Sequence, residues 1–394
     1  MNFALWLCFA LVFYVYIGYP CAIFLRARSK SRAVPPDHCD EAQFPFLTVL
    51  IPAHNEEKWI RRKIENALEL GYPRDRFQVL VASDGCTDGT VSIAEQFSAQ
   101  GVEVSHIPQR KGKTATLNRV VPTSRGEIVL LTDANALLGK DVAKLLVRHF
   151  QDPQVGCVTG ERVCLPTESS ASTGEGLYWR YESWIKHSES RLGSCLGSNG
   201  QVLAFRKALF PVIPVIGDDF FIPMKILIST GAKVLFEPKA KAWIPAASSL
   251  RLELERKVRA HVSLFRDLPH LGQALNPFTS SIWWRFLSHH ILRLFVPFAM
   301  IVAFLLSAFL WNAGSVYRFV LLAQCVFYAC AAVGFLLQRV GIRTRVFYVP
   351  FYFVFANLGV LLSWFRWARG KHQYAWQRTE RILPQMKSAE GPHS

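Results

Sequence analysis

The sequence predicts an α/β protein in which a doubly wound, mostly parallel sheet is flanked by transmembrane helices. Two observations predict this fold. Between residues 47 and 132, short apolar or β-branched runs alternate with segments of helical periodicity, a pattern typical of parallel sheets with right-handed crossovers. Long apolar runs stand near both ends of the chain, whose composition is 51% hydrophobic and 13% aromatic. Such a composition is typical of a membrane protein.

The predicted central domain covers residues 46–270. Its first half contains predicted strands at 47–51, 77–82, 102–107 and 127–132, with helices at 56–70, 90–97, 114–121 and 139–150. After residue 150 the pattern is less regular. It predicts strands at 155–159, 201–205 and 233–236, with helices at 176–192, 217–229 and 250–268.

The apolar ends predict a multi-pass protein of the inner or plasma membrane. Residues 1–27 form a predicted anchor, because 3–25 lack any charge and every nearby basic residue follows the run, which also predicts a cytoplasmic central domain. The remaining predicted parts are a linker at 28–45, an interfacial segment at 271–288, a membrane region at 289–366 and a basic tail at 367–394.

The membrane region contains three apolar runs, 289–310, 316–337 and 346–365. If all three cross, the basic tail lies outside, against the tendency of basic residues to remain in the cytoplasm. Pro350 and Asn357 would allow the last run to be re-entrant or interfacial instead. A cytoplasmic tail is the prediction, with two to three late spans.

Charge and cysteine content narrow the function classes. The formal net charge is +16, but much of the basic excess borders apolar runs, where it sets membrane topology and attracts anionic lipid, so no nucleic-acid partner is expected. The nine cysteines contain no C-x-x-C pair. A disulfide framework is therefore not indicated, which suits a reducing cytosol.

Polar residues follow the predicted strand at 127–132. Asp133 and Asn135 stand where this strand ends, and ligands of open α/β sheets bind outside the carboxyl ends of the strands. Two oxygen ligands at this spacing can hold a divalent ion against a diphosphate. The alternative is an Asx turn that caps the next helix.

Similar positions follow the other strands. Ala53 is small enough to let a flat base approach, and Glu56 can accept from a ribose or base, although acids in a first helical turn also stabilise the helix dipole. Asp84 follows the second strand within a glycine-containing loop that can approach a nucleotide. Lys113 precedes a helix and suits a diphosphate.

Five segments together resemble a known family. PAHNEE, SDGCTDGT, RKGKTATLN, LLTDAN and GDDF resemble, in order and spacing, the processive membrane-bound type of glycosyltransferase family 2, which includes cellulose, chitin, hyaluronan and poly-N-acetylglucosamine synthases. The resemblance covers about residues 45–270. It implies a GT-A nucleotide-sugar fold that inverts the anomeric centre of a UDP-sugar, with Mg²⁺ or Mn²⁺.

The resemblance also implies roles for individual residues. Asp84 would bind uridine, while Asp133 and Asn135 would occupy a metal motif that is usually Asp-x-Asp in the family. The Asn keeps an oxygen ligand but loses a charge, so metal dependence is left open. Asp219 would be the general base and Asp218 its support, because two adjacent acids raise one pKa. Helix N-capping is the alternative for both.

The segment 256–260 departs from the family pattern Gln-x-x-Arg-Trp. Arg256 replaces the Gln, Ala260 replaces the Trp, and Arg259 remains. In the polymer synthases that Trp stacks on the acceptor sugar, so processive extension is in doubt. Arg256 or Arg259 can still bind a diphosphate, or they can form the basic face of an interfacial helix on anionic lipid.

The sequence therefore predicts an inverting glycosyltransferase that transfers a sugar from a UDP-sugar to a growing polysaccharide or glycolipid precursor. Its expected partners are a saccharide or lipid-linked acceptor, membrane lipid and polysaccharide-export subunits. Transfer of one sugar to a lipid acceptor and a non-catalytic export scaffold are the alternatives.

His54, His106 and His261 lack metal-ligand spacing, and Trp179, Tyr181 and Trp184 are expected to pack rather than bind sugar.

Overall fold

A mixed sheet lies at the centre of the computed structural model, which describes residues 1–30, 44–165, 172–214, 218–245, 249–340, 342 and 344–370. Within these residues the sheet has eight strands in the spatial order β3-β2-β1-β4-β7-β6-β8-β5. The strands are β1 (Leu47–Ala53), β2 (Phe77–Asp84), β3 (Val102–Ile107), β4 (Ile128–Leu131), β5 (Leu137–Leu138), β6 (Val155–Leu165), β7 (Leu203–Arg206) and β8 (Lys233–Pro245).

Helices cover the sheet and extend from it. Those before residue 200 are α1 (Asn2–Arg28, with a π turn at Tyr14–Gly18), α2 (Glu57–Leu68), α3 (Thr90–Glu95), α4 (Lys113–Val120), α5 (Val142–Val147) and α6 (Ser172–Arg191). Those after it are α7 (Asp218–Thr230), α8 (Leu250–Asp267), α9 (Trp283–Phe309), α10 (Ser315–Arg339) and α11 (Arg345–Ala368). Most of the predicted linker and tail, 31–43 and 371–394, lies outside the described residues.

The predicted fold class is confirmed, with one difference in the sheet. β1 pairs in parallel with β2 and β4, and β3 extends this half from β2. In the other half, β7 is antiparallel to both β4 and β6, and β5 is antiparallel to β8. The sequence did not predict β5 or these reversals, because alternation with helices identifies crossovers only, and β4 and β5 are joined by a short loop.

Two strands run further than the apolar pattern predicts. β6 and β8 continue well past the predicted 155–159 and 233–236 because they pair in parallel with each other beyond the buried region. Charged residues such as Glu161 and Lys241 interrupt the apolar pattern there and obscure the strands. A register shift falls between Gly160 and Glu161, and an added Cβ on Gly160 would lie 2.1 Å from the Ala240 carbonyl oxygen.

Alternate residues of the strands supply two cores on opposite faces of the sheet. In β1, Leu47, Val49 and Ile51 join one buried cluster, whereas Leu50 joins the other. This alternation follows from the two-residue period of a strand. Because helices cover both faces, the sheet interior is mainly apolar, and buried polar residues such as Thr48 and Gln78 bond to each other.

A buried lysine fixes the loop between β4 and β5. Lys63 lies on the buried side of α2, and its Nζ donates to the Thr132 hydroxyl at 2.8 Å and to the Ala136 carbonyl at 2.6 Å. Burial lowers the pKa of Lys63 to about 7, although Asp133 opposes this shift. Lys63 therefore supports from beneath the loop that carries Asp133 and Asn135.

Four described helices are long and apolar enough to cross a membrane, namely α1, α9, α10 and α11. α1 packs along α9, with Leu5 of α1 beside Ala303 and Leu310. Apolar side chains on the outer surfaces of these helices are exposed, as expected where lipid surrounds a helix.

Replacing Lys63 should destabilise the protein without altering its fold. Lys63→Met leaves the Thr132 hydroxyl and the Ala136 carbonyl without their donor, which should cost about 1–3 kcal/mol. The thermal midpoint of the full chain in detergent should fall, whereas Lys58→Met, at an exposed position of the same helix, should leave it unchanged. Equal midpoints for the two variants would contradict a supporting role for Lys63.

Candidate active site

A lysine joins two of the predicted site residues at the carboxyl edge of the sheet. Lys113 is the first residue of α4, and its Nζ lies 2.9 Å from Asp133 Oδ1 and 2.7 Å from Asp218 Oδ2. Asp133 follows β4, and Asp218 is the first residue of α7. Gln201 completes the arrangement by donating from Nε2 to Asp133 Oδ2 at 2.9 Å. Asp133 and Asp218 are 85 positions apart in the sequence, and the fold brings both of them to Lys113.

Burial and neighbouring charges determine the pKa values of Lys113 and Asp219. Burial alone would lower the pKa of Lys113, but Asp133, Asp218 and Asp219 raise it well above its usual value. Lys113 is therefore a permanent cation. Burial, and next to it the charge of Asp218, raise the pKa of Asp219 to about 8, although Lys113 opposes the shift. Asp219 thus combines a half-buried position with a pKa near neutrality.

A glycine leaves the space that the Asp219 carboxyl occupies. An added Cβ on Gly200 would lie 2.0 Å from Asp219 Oδ1, so only glycine fits there without displacing the acid. The Ser198 hydroxyl donates to the Asp219 backbone carbonyl. The segment before β7 therefore holds both the backbone and the carboxyl group of Asp219.

Asp84 fixes the loop that leads to Lys113. Its Oδ1 accepts from the Lys111 amide at 2.7 Å and its Oδ2 accepts from the Gly112 amide at 2.8 Å. Gly85, at φ +60°, lets this loop approach closely, because an added Cβ would lie 2.6 Å from the Arg110 nitrogen. Each carboxylate oxygen keeps further accepting capacity. A contact from Asp84 to uridine remains a prediction.

The remaining strand-end candidates lie at the same edge. Ala53 ends β1 and its carbonyl accepts from the Cys86 thiol at 3.5 Å. Glu56 immediately precedes α2, and its amide donates to the Thr90 hydroxyl at 2.7 Å. Asn135 lies two positions beyond Asp133 in the loop that Lys63 supports. Their roles in nucleotide or metal binding remain predictions.

The three histidines that lack metal-ligand spacing make local contacts. His54 Nδ1 lies 2.6 Å from the Asp84 carbonyl, His106 Nδ1 lies 3.0 Å from the Ser83 hydroxyl, and His261 Nδ1 lies 2.8 Å from the Lys257 carbonyl. Two of these partners are backbone oxygens. The contacts agree with the lack of metal-ligand spacing in the sequence.

A basic cluster surrounds Trp179 of α6. The guanidinium carbon of Arg162 lies 4.5 Å from the centroid of the Trp179 ring. The guanidinium carbon of Arg256 and the ammonium nitrogen of Lys186 each lie 5.8 Å from this centroid. Arg259 lies on α8 with Arg256. Trp179 therefore packs against cations, which is a stabilising arrangement for an indole. Sequence reasoning named Arg256 and missed Arg162 and Lys186.

The other aromatic residues of α6 contact the membrane helices. The Tyr181 hydroxyl donates to the Tyr16 carbonyl at 3.0 Å, and the Trp184 ring lies 5.3 Å from that of Phe24. These contacts support the expectation that Tyr181 and Trp184 pack rather than bind sugar.

The side-chain oxygens of Asp133 and Asn135 suit a metal cation that the substrate also binds. Among the described residues, no group of three or more His, Cys, Asp and Glu side chains could hold a metal ion. Asp133 and Asn135 together offer two ligand positions. Mg²⁺ is commonly bound by one or two carboxylates together with substrate phosphates, so these residues fit an ion that arrives with a diphosphate.

Comparison with known proteins identifies the central segment. Residues 48–210 match the family model described as glycosyl transferase family 2. Beta-monoglucosyldiacylglycerol synthase of Nostoc sp. is 27% identical over 194 residues, covering 48% of this chain and 40% of that protein. An N-acetylglucosaminyltransferase of Azorhizobium caulinodans is 22% identical over 57% of this chain and 60% of its own. The matches thus span about two fifths to three fifths of these relatives.

A solved structure matches over nearly the whole fold. The mannosyltransferase PcManGT from Pyrobaculum calidifontis, in complex with GDP-Man and Mn²⁺, has a TM-score of 0.70 and 23% identity. The match covers 93% of this chain and 99% of that one. At this identity the similarity establishes the fold, which is GT-A-like. Residues 48–210 therefore match the glycosyl transferase family 2 model within a GT-A-like fold, set among helices that can cross a membrane.

Proposed function

We propose that this protein transfers one sugar from a nucleotide-sugar to a hydroxyl of a lipid acceptor at the membrane surface, with inversion at the anomeric carbon. One observation carries the proposal. Lys113 bridges Asp133 and Asp218 at the carboxyl edge of the sheet, directly beside Asp219, a half-buried acid whose pKa is raised to about 8. A fixed cation and a poised base are the two groups that this reaction needs from a protein.

The lipid acceptor is supported by the relatives and by the membrane helices. Named relatives include beta-monoglucosyldiacylglycerol synthases, whose name specifies a glycolipid product. Ala260 stands where the polymer synthases have the Trp that stacks on the acceptor sugar. We therefore favour transfer of a single sugar over extension of a polysaccharide. The acids of the site are intact, which argues against a scaffold without activity.

The donor would bind with its diphosphate at Lys113. The ammonium group is charged and already faces two carboxylates, so it can exchange a carboxylate oxygen for a phosphate oxygen. Asp133 and Asn135 would hold Mg²⁺ or Mn²⁺, which neutralises charge on the leaving diphosphate when bound. UDP is the nucleotide that the sequence motifs favour, with Ala53, Glu56 and Asp84 at the nucleoside and Arg256 or Arg259 as further diphosphate contacts.

Asp219 would accept the proton of the attacking hydroxyl. A single displacement with inversion places the acceptor on the face opposite the leaving group, where a base must be within hydrogen-bond reach. Asp218 raises the pKa of Asp219 and also bonds to Lys113. Binding of the donor diphosphate to Lys113 would therefore change the charges around Asp219.

A transfer assay tests the function. The full chain in nanodiscs containing diacylglycerol is supplied with radiolabelled UDP-glucose, UDP-galactose, UDP-N-acetylglucosamine or GDP-mannose, with Mg²⁺, Mn²⁺ or EDTA. We expect one donor to label a lipid that carries a single sugar, and Asp219→Asn to lower this rate about 10²–10⁴-fold, the usual contribution of a general base. Label in a polymer, or none with any donor, would contradict the proposal.

The rate should depend on pH through Asp219. Below its pKa of about 8 the ionised fraction of the base falls, so kcat/KM should rise about tenfold per pH unit up to about pH 7, be half-maximal near pH 8 and become constant above about pH 9. Asp218→Asn removes a neighbouring negative charge, which lowers the pKa of Asp219 and should shift this rise to lower pH. A profile that is flat between about pH 6 and 9 would exclude Asp219 as the base.

Filling the space beside Asp219 should slow the reaction. In Gly200→Ala the new methyl group displaces the carboxyl, and misplacing a catalytic group by about 1 Å can cost about 10²-fold in kcat. Gly272→Ala is the matched control, because its added Cβ has no neighbour within 4 Å. Equal kcat values for the two variants would show that the position of the Asp219 carboxyl is not critical.

A further inference from the structure

The loop beside Asp219 is held from the membrane side. The Ser194–Gly200 loop joins α6 to β7, and its Ser198 and Gly200 contact Asp219 as described above. Arg285 of α9 donates from Nη1 to the Ser194 carbonyl at 2.7 Å. His290 of the same helix donates from Nε2 to the Leu196 carbonyl at 3.1 Å. Two residues of one membrane helix thus bind the backbone of this loop.

A buried glutamate provides a third attachment. Glu189 of α6 is fully buried, and its Oε2 accepts from the Leu196 amide at 3.0 Å. Its Oε1 accepts from the Tyr19 hydroxyl of α1 and lies 2.9 Å from His289 Nδ1 of α9. Glu189 therefore connects the loop to two membrane helices through one carboxylate.

The network continues deeper into the membrane helices. His289 Nε2 lies 3.2 Å from Glu182 Oε2, and Arg293 Nη1 donates to Glu182 Oε1 at 2.6 Å. Glu182 lies two turns before Glu189 on α6, so both acids face α9. Charged groups buried among apolar helices are costly unless they are paired, and breaking one pair strains the rest.

Aromatic packing reaches the residue after Asp219. Phe220 lies 4.8 Å from the His290 ring and 6.2 Å from that of Phe286, measured between centroids. An added Cβ on Gly197 of the loop would lie 3.3 Å from the Phe220 ring. The start of α7, the loop and the start of α9 therefore pack as one unit around the acid.

We infer that the membrane helices position the catalytic base. Arg285 and His290 of α9 hold the Ser194–Gly200 loop together with Glu189 of α6, which is itself bound by α1 and α9, and this loop fixes Asp219. These are positioning residues, since none of them touches the reacting groups. The inference rests on the proposed function for its kinetic consequence, but its structural consequence is independent of any activity. A detached catalytic domain would keep its sheet and lose the alignment of Asp219.

The loop contains its own reporter. Cys195 is fully buried within the loop, and Cys157 is fully buried in β6. Release of the loop should expose the Cys195 thiol while Cys157 stays protected. Peptide-resolved mass spectrometry after maleimide labelling measures both thiols in the same sample of the full chain.

In Glu189→Ala we expect kcat to fall at least tenfold, KM for the donor to stay within about twofold, and Cys195 to label at least tenfold faster. Glu189→Gln keeps an oxygen for the Leu196 amide and should restore most of the rate. Glu255→Gln, at the surface of α8, is the control and should match the wild type. A wild-type kcat with a protected Cys195 in Glu189→Ala would overturn the inference.

A second variant covers misfolding, which would label Cys157 as well. His290→Phe keeps the aromatic contact with Phe220 and loses only the bond to the Leu196 carbonyl. It should lower kcat and expose Cys195 alone, and failure to do either would also overturn the inference. If the wild type transfers no sugar, the proposed function fails, yet the labelling of Cys195 still decides whether these residues hold the loop.

An independent observation concerns the last apolar helix. α11 runs beside α8 over three levels, with the Tyr352 hydroxyl donating to Glu253 Oε1 at 2.6 Å and the Trp364 ring 4.6 Å from that of Phe265. Between them, an added Cβ on Gly359 would lie 3.3 Å from Lys257 Cβ. From Tyr352 to Trp364 is about 18 Å of helix at 1.5 Å per residue.

α8 is a charged helix that cannot lie in the hydrocarbon core. Its exposed Arg251 forms an ion pair with Glu255 at 3.2 Å, and charged residues continue to Arg266 and Asp267 at its other end. Because α11 follows this helix for most of its length, it shares its depth in the membrane.

The last turns of α11 contact the first turns of α9. Trp364 Nε1 donates to the Leu294 carbonyl at 2.9 Å, and its ring lies 5.7 Å from that of Phe295 and 5.8 Å from that of Phe298. Arg285 and His290 of the same helix bind the Ser194–Gly200 loop, so this contact lies near the end of α9 that adjoins the sheet domain.

We propose that α11 lies in the membrane interface rather than crossing the bilayer, so that α1, α9 and α10 are the spans among the described helices. Its outward side chains, including Val346, Val349 and Phe365, are exposed and fit a lipid surface. Residue 370 is then on the same side as the glycosyltransferase domain, which places the basic tail according to the positive-inside rule.

Topology reporters on the full chain test this arrangement in bacteria. Green fluorescent protein or alkaline phosphatase is fused after Ser394, and each is inserted separately after Ala313 in the loop between α9 and α10. We expect fluorescence without phosphatase activity at the C-terminus and the reverse at Ala313. Phosphatase activity at the C-terminus would show that α11 crosses the membrane and would overturn the proposal.

Discussion

The bridge from Lys113 to Asp133 and Asp218 is the interaction on which the site depends. It joins the start of α4, the end of β4 and the start of α7, three elements that the chain brings to one edge of the sheet. Without the cation, several partly buried carboxylates would lie close together, which is unfavourable. With it, Asp133 and Asp218 each have a cationic partner, while Asp219 keeps a raised pKa. One positive charge thus organises both the donor side and the base.

The structure surrounds this bridge with supports of two kinds. Lys63, Asp84 and Gln201 hold the loops of the sheet edge by hydrogen bonds within the glycosyltransferase domain. The Ser194–Gly200 loop is held by membrane helices instead. A lipid acceptor would reach the site along these same helices. The part of the protein that meets the acceptor would therefore also align the group that activates it.

The sequence predicted the acids and Lys113 because they follow strands or precede helices, and such positions meet at one sheet edge. The order of five motifs gave their expected roles by resemblance. Lys63, Gln201 and Glu189 were missed because their function depends on contacts between distant segments. Lys63 stands at a helical position whose spacing predicts a buried apolar residue. A charged residue at such a position was the signal that could have identified it. The strand β7 was predicted, but its antiparallel direction was not, because pairing direction is set by long-range contacts; the two-residue strand β5 was not predicted.

Binding of UDP to the full chain tests the central claim most directly, because it needs no acceptor. Titration calorimetry in nanodiscs compares the wild type with Lys113→Met and with Lys111→Met, whose exposed lysine belongs to the same loop. Loss of a charged hydrogen bond costs about 1.5–3 kcal/mol, so Kd should rise at least about tenfold in Lys113→Met and change little in Lys111→Met. Equal UDP affinities for Lys113→Met and the wild type would contradict a diphosphate site at Lys113.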